Sequence, residues 1–369
     1  MSKIFILAND YKTIANFRME LVERLLSEKH EVYLSLPEDS RNAAFEKMGC
    51  KVVIAPVTRH GTNPLKELSL IRCYKRQMKE VKPDCVLTFT VKPNIYGSMA
   101  AASLNIPYIN NVTGMGSVMQ SESIMKKVML RLQKYGFRKS SCVFFQNTGN
   151  LEHYRSRGIV RQQARLLPGS GVNLRLHSFS KYPSESPWID FVTVSRLRQD
   201  KGFDELFSAI DRLLPLHDNI RFHIVGWIEE DRYKEVLARY RDNERVIYHG
   251  EKKQAEVHEI IRQCHCLIHP SYHEGMANVL MEAAAAGRPA LVSDIYGCRE
   301  GVDEGVSGYT FSVCDGEAVV CAIEKYLAGN QEQHNAMGRA ARVKMETEFD
   351  RQFVIDKYLE QISAATASA

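Results

Sequence analysis

The sequence predicts an α/β protein of two domains, each a parallel β-sheet with helices on both faces. Three observations carry this prediction. Short apolar runs alternate with helical stretches through the first half of the 369-residue chain, and the alternation restarts after residue 189. Between the two series, residues 167–187 hold Gly169, Gly171, Pro183, Pro187 and several serines, which break periodicity. A chain of this length divides into about two domains, each large enough for its own core.

Taken in order, residues 3–8, 31–36, 51–55, 85–90, 108–111 and 142–146 read as short buried strands of a first domain over 1–170. Basic helical stretches are expected at 66–79 and 124–139. A linker is assigned to 171–188. Strands at 190–195, 221–225, 246–248, 266–269, 290–293 and 308–311 then build a second domain over 189–349, followed by a terminal helix within 350–369.

The densest signal is residues 269–294, HPSYHEGMANVLMEAAAAGRPALVSD, which read as strand end, loop, helix and strand. Residues 278–286 are mostly good helix formers, and Gly287 and Pro289 stop the helix. Glu274 then lies in the loop and Glu282 about one turn inside the helix, so both could face a ligand at its N-terminus. The backbone amides of Gly275, Met276, Ala277, Asn278 and Val279 form a seat for a phosphate. A carboxylate beside a diphosphate is repelled unless it binds something neutral, so sugar hydroxyls are the expected partners. Together these features point to a nucleotide sugar. The predicted strand at 190–195 delivers Arg196 to the C-terminal edge of its sheet, and Lys201 follows in the turn before a helix beginning near Asp204.

These residues resemble the retaining nucleotide-sugar glycosyltransferases of the two-domain GT-B type, the family 4 or group 1 kind, whose mark is two glutamates separated by seven residues. Glu274-x7-Glu282 matches that mark, with Ser195-Arg196-Leu197, Asp200-Lys201-Gly202, Pro270-Ser271 and Gly287-x-Pro289 in the same order. The resemblance implies two facing Rossmann-like domains with a cleft between them, and a final helix that crosses back to the first domain. It implies that Arg196 and Lys201 hold the diphosphate, where fixed positive charge offsets the charge growing on the leaving phosphate. By the same resemblance Glu282 binds ribose hydroxyls and Glu274 the transferred sugar, making Glu274, Arg196 and Lys201 the catalytic set. His249 and Glu251 fall where the family seats the base, most often uridine. Asn278 stands where a proline is often found.

The first domain is expected to hold the acceptor. Thr113-Gly114-Met115-Gly116 and Lys92-Pro93-Asn94 follow predicted strands, and both loops resemble the branch that adds sugars to polyprenyl-diphosphate-linked glycans, bacterial N-acetylgalactosaminyl transferases among them. Lys92, Asn94, Thr113, Gly114, Gly116 and Arg18 are the acceptor-side candidates, Arg18 reading either as a phosphate contact or as a surface helix residue. Many relatives place a histidine near Thr113; this chain has none there.

Charge separates the halves. Residues 1–175 hold 27 Lys and Arg against 13 Asp and Glu, net +14, and residues 176–369 hold 22 against 31, net −9. A basic half suggests an anionic surface or substrate. On 124–139, Ile124, Val128, Leu132 and Tyr135 follow a helical spacing, with Lys126, Lys127, Arg131 and Lys134 among six basic residues around it. Such a helix suits an anionic membrane surface, and equally an amphipathic helix packed on its own domain. No aromatic platform or motif for nucleic acid accompanies the charge.

Apolar and charged fractions of 44% and 25% are those of a globular protein. There is no apolar run of 18 residues, and the stretch 4–8 is too short for a secretion signal, so the chain is expected in the cytoplasm, peripheral to the inner face of the cell membrane. Cys264, His265, Cys266, His269 and His273 crowd one segment, but strand alternation sends neighbours to opposite faces, and no metal or cofactor is expected. The absence of D-x-D argues against a metal-held diphosphate. Two rival readings are a sugar-nucleotide epimerase of similar two-domain fold and a nonenzymatic nucleotide-sugar-binding adaptor. A dinucleotide-binding oxidoreductase is disfavoured by the lack of G-x-G-x-x-G.

Overall fold

The computed structural model describes residues 1–57, 63–114, 124–183 and 186–367. The chain divides into two units, Met1–Ser170 with Gln352–Ala369, and Gly171–Arg351. Each is a parallel α/β domain.

The first unit holds β1 (Lys3–Leu7), β2 (Glu31–Leu36), β3 (Lys51–Ile54), β4 (Cys85–Phe89), β5 (Tyr108–Val112), β6 (Cys142–Phe145) and β7 (Ala164–Leu166), in sheet order β3-β2-β1-β4-β5-β6-β7. Alternation along β1 builds two cores at once. Ile4 and Ile6 pack with Leu34, Leu87 and Phe144 on one face, while Phe5 and Leu7 pack with Val86 and Tyr108 on the other. Strand β7 was not expected from the sequence. It is three residues long with an exposed arginine, too short to show a period. The helix Arg351–Ala367 buries Val354, Ile355, Tyr358 and Ile362 in this unit, with Tyr358 against Phe144 at 4.8 Å and accepting a hydrogen bond from Asn111.

The second unit holds β8 (Ile189–Val194), β9 (Ile220–Val225), β10 (Val246–Gly250), β11 (Cys266–His269), β12 (Ala290–Ser293) and β13 (Gly308–Phe311), in sheet order β10-β9-β8-β11-β12-β13. The order reverses between β8 and β11, so the loops after their C-terminal ends diverge and leave a crevice. Those loops carry Arg196, Lys201 and Glu274.

Residues 171–188 run within the second unit. The reason is Arg288, which is wholly buried and donates to the carbonyls of Ser180, Lys181 and Arg262 and to the Ser180 hydroxyl. One guanidinium thus ties the segment to the end of the helix Gln254–Gln263. Phe179 lies so close to Gly287, itself at φ +81°, that a β-carbon there would come within 2.6 Å of its ring. Burial lowers the Arg288 pKa to about 10, still well above neutrality. Arg288→Met should therefore cost on the order of 3 kcal/mol, because several buried carbonyls lose their donor together. Urea denaturation checks this, and a loss below about 1 kcal/mol would show that the strap is held by packing alone.

Candidate functional site

The site residues of the second unit gather because backbone approaches closely at two glycines. Gly202, at φ +72°, ends the turn Gln199–Lys201, and a β-carbon on it would come within 2.0 Å of the Pro270 carbonyl. The Tyr272 amide donates to the Asp200 carbonyl at 2.9 Å, stitching that turn to the loop after β11. Gly226, at φ +145°, lies equally tight against the Ser195 carbonyl.

This stitching sets Lys201 Nζ 2.6 Å from Glu274 Oε1, in a pair whose side chains are 13% and 16% exposed. His269, the last residue of β11, places Nε2 3.0 Å from the same oxygen. Burial opposes charge on Glu274, but Lys201 and the His269 hydrogen bond outweigh it and hold the carboxyl well below the usual range. Glu274 is a charged acceptor fixed from two sides. Arg196 is paired instead with Glu229 at 2.7 Å and lies over Trp227. Both expected phosphate cations thus hold carboxylates in this structure.

The helix Asn278–Ala285 begins four residues after Glu274, with Ala277 as its N-cap and no side-chain cap. Of the five amides expected to seat a phosphate, Ala277's is bonded to the Gly297 carbonyl at 2.8 Å and is spent there. Met276 turns its side chain into the core with Met281. Asn278 and Val279 are first-turn residues, whose amides have no intrahelical acceptor. Glu282 is the fifth residue of this helix, 3.9 Å from His177 Nε2. Burial pushes its carboxyl up to about 7, against the pull of Arg351 and a hydrogen bond to Gln254. His249, at the end of β10, is held below the usual imidazole range by burial, with His223 and Lys252 adding to the effect. Glu251 is exposed in the following loop. Cys264 and Cys266 lie in cores on opposite faces of the sheet, and among the described residues no group of three or more His, Cys, Asp and Glu could hold a metal ion.

In the first unit the candidates are mostly committed to the fold. Asn94 is 3% exposed, accepting from Thr88 at 2.6 Å and donating to the Asn111 carbonyl at 2.7 Å, which makes it a brace between β4 and β5. Lys92 pairs with Glu67 at 2.6 Å, both sheltered. Arg18 is not a surface residue. It is 3% exposed, with its guanidinium over Phe89 at 4.8 Å and Tyr358 at 5.9 Å. With its amide oriented to satisfy both neighbours, Gln146 accepts from Arg18 and donates to the Thr113 carbonyl. Gly114 follows Thr113 at the end of that described segment, while Met115 and Gly116 lie outside the described residues.

The helix Ile124–Phe137 divides its apolar residues between an inward and an outward face. Phe137, Gln133 and Leu130 turn inward, while Val128 and Tyr135 stay 41% and 50% exposed. Lys127, Arg131 and Lys134 are exposed with them, and Lys126 is half-buried; the side chains of Ile124 and Met125 lie outside the described residues. Part of the apolar spacing thus faces outward, as a surface-binding helix would need, while Gln133 is buried to serve the Tyr154 hydroxyl at 2.9 Å. No helix among the described residues is long and apolar enough to cross a membrane.

Sequence reasoning missed His269, His177, Gln254 and Arg351 as neighbours of the two glutamates. His269 carried a signal, as a polar residue ending an apolar strand five places before Glu274. The raised Glu282 pKa gives a direct prediction. An unfolded glutamate titrates near 4.3. Between that value and about 7 the folded state binds more protons, so stability falls as pH rises through this window and is flat above it. Glu282→Gln should gain about 3–4 kcal/mol over the native chain above pH 7 and nothing below about pH 4. Denaturation at the two ends of the window measures the difference, and a pH-independent gap would refute the shift.

Two family models match in tandem, a glycosyl transferase 4-like domain over residues 3–147 and a glycosyl transferases group 1 domain over 177–344. The chain is 24% identical, over 97% of both chains, to the N,N'-diacetylbacillosaminyl-diphospho-undecaprenol alpha-1,3-N-acetylgalactosaminyltransferase of Campylobacter jejuni. Its fold is similar to Anabaena Alr3699/HepE in complex with UDP and glucose, with a TM-score of 0.81 at 17% identity over 99% of this chain and 100% of that one. A Listeria monocytogenes protein assigned as a UDP-N-acetylglucosamine 2-epimerase is similar at a TM-score of 0.71 and 15% identity, over 100% and 97%. With both of its domains matched in order, the chain belongs to the group 1, family 4-like glycosyltransferases of the GT-B type.

Proposed function

We propose that this glycosyltransferase is a retaining enzyme that moves an N-acetylhexosamine or hexose from a UDP-sugar to a polyprenyl-diphosphate-linked glycan in surface polysaccharide or glycan biosynthesis, peripheral to a membrane. The observation that carries the donor half of this reading is the Lys201–Glu274–His269 cluster beside the Asn278 helix start. It offers a fixed carboxylate for sugar hydroxyls next to a cation and open amides for phosphate. In the reaction the bond from the anomeric carbon to the diphosphate oxygen breaks, and the electron pair leaves with UDP. Lys201, Arg196 and the first-turn amides of Asn278 and Val279 offset that charge. An acceptor hydroxyl oxygen bonds to the same carbon, and its proton goes to the departing phosphate oxygen. Arg196 turns from Glu229 to reach the phosphates. Glu282 binds the ribose, where the fraction ionised near neutral pH tunes affinity. The acceptor half rests on the likeness to the Campylobacter jejuni transferase and on the basic first unit.

The epimerase reading keeps one support, the similarity of fold to the Listeria protein. A panel of UDP-sugars incubated with and without a polyprenyl-diphosphate-linked sugar separates the two by UDP release. Release that requires the acceptor supports transfer, and release without it supports the epimerase. Lys201→Ala and Glu274→Ala should each lower turnover by about 10²-fold or more, since each also strands its buried partner. Native rates in both would overturn the site. Neutralising Lys126, Lys127, Arg131 and Lys134 together should weaken binding to anionic vesicles by about 10²-fold or more, at about 1 kcal/mol per charge. Unchanged sedimentation with vesicles would remove the membrane role of that helix.

A further inference from the structure

Three side chains outside the phosphate and sugar contacts form a hydrogen-bonded line along one face of the second sheet. Asp190 on β8 is buried at 4% exposure and takes a two-point contact from Arg221, with Nε to Oδ1 at 2.6 Å and Nη2 to Oδ2 at 3.1 Å. His223 lies two residues along β9 from Arg221, hence on the same face, and sets Nε2 3.1 Å from Asp190 Oδ1. Its Nδ1 is 2.9 Å from Nε2 of His249 at the end of β10. The two rings are 13° from parallel with centroids 5.2 Å apart. That is edge-to-edge geometry, as an in-plane N–H···N bond requires, and not a face-to-face stack.

The protons on this line follow from its fixed end. Asp190 is held ionised: burial opposes its charge, but His223 and Arg221 outweigh it. Arg221 already matches that charge, so one proton on each imidazole completes the line with no charge beyond the Arg221–Asp190 pair. His265, the other ring near Asp190, does not compete, because its Nδ1 accepts from the Asp190 amide at 3.0 Å and its Nε2 donates to the Pro183 carbonyl at 2.8 Å. His223 must then donate from Nε2 to the carboxylate and accept at Nδ1, and His249 must donate from Nε2. The second nitrogen of His249 is left as a bare lone pair. Burial and the neighbouring Lys252 keep that nitrogen unprotonated.

We infer that the Asp190–His223–His249 line fixes His249 Nδ1 as a hydrogen-bond acceptor that selects a nucleobase presenting a ring N–H, as uracil does, over one presenting a ring acceptor, as cytosine does. This rests on the nucleoside-diphosphate-sugar reading above. The placement agrees with it, since Gln254, which bonds Glu282, follows His249 by five residues at the start of the next helix. UDP and CDP carry the same phosphates and ribose, so their affinity ratio isolates the base. His249 is a specificity-determining residue and His223 and Asp190 are positioning residues; none need touch the reacting atoms.

Calorimetric titration of the full chain with UDP and with CDP tests this. The native protein should bind UDP at least about tenfold more tightly, and His249→Phe and His223→Phe should each bring the two affinities to within about threefold. Nitrogen-15 NMR of the native histidines should show His249 Nδ1 as pyridine-type and Nε2 as pyrrole-type, with tautomers mixed in His223→Phe. A merely structural role would not move that signature. Equal affinities in the native protein, tighter CDP, the reverse tautomer, or an unchanged ratio in a folded His249→Phe each overturn the proposal while the donor-site reading stands. Binding of neither nucleotide overturns both.

Discussion

Much of the second unit is arranged around one ion pair. Lys201 and Glu274 come from loops after different strands, 73 residues apart in the chain, and meet at 2.6 Å while mostly buried. Burying two charges costs several kcal/mol each, and their attraction seldom returns a surplus, so such a pair is poor evidence of stability. It persists because the backbone leaves it no alternative. The turn Gln199–Lys201 is pressed against Pro270, in a space that admits no side chain at Gly202. The same contact that fixes the lysine therefore requires the glycine beside it.

The two glutamates of the motif are alike in sequence and opposite in chemistry. Glu274 meets a lysine and a histidine and is held ionised, whereas Glu282 meets burial with one arginine and titrates near 7. Environments that push like groups apart in this way assign them different tasks. A permanently charged acceptor suits hydroxyls close to a diphosphate, where strong fixed positive charge is also present. A carboxyl balanced near neutrality is one whose ionisation can be completed by whatever binds it.

How far the sequence foretold this varies with the kind of residue. Strands buried on both faces announce themselves as apolar runs, and all but β7 were read to within a residue or two, as was the helix start at Asn278. Glu274 and Glu282 were legible because their spacing is local. Their partners were not, since His177, Arg351 and Gln254 reach Glu282 only through the fold. The helix Ile124–Phe137 shows the limit of periodicity: a stripe of Val128 and Tyr135 suited a surface-binding face and a packed face alike, and the inside position went to a glutamine because Tyr154 needs its carbonyl. Arg18 was not legible as a buried residue, since only the fold brings Phe89 and Tyr358 over its guanidinium and makes a buried cation tolerable. The line from Asp190 to His249 spans three strands and has no spacing to read.

The path of the chain has its own consequence. The second unit begins at Gly171 and ends at Arg351, with Val172 bridged to Asp350 and the Arg351 guanidinium bonded to the Gly171 carbonyl. It is thus a closed insertion, entered and left at one spot, whereas the first unit lacks Val354, Ile355, Tyr358 and Ile362 until the helix Arg351–Ala367 is added. On a ribosome the strands made first must wait with a face of their core uncovered while the segment made later completes itself. Of the two units, the one made earlier is the one that finishes folding later, and during that delay its apolar face is what a chaperone would meet.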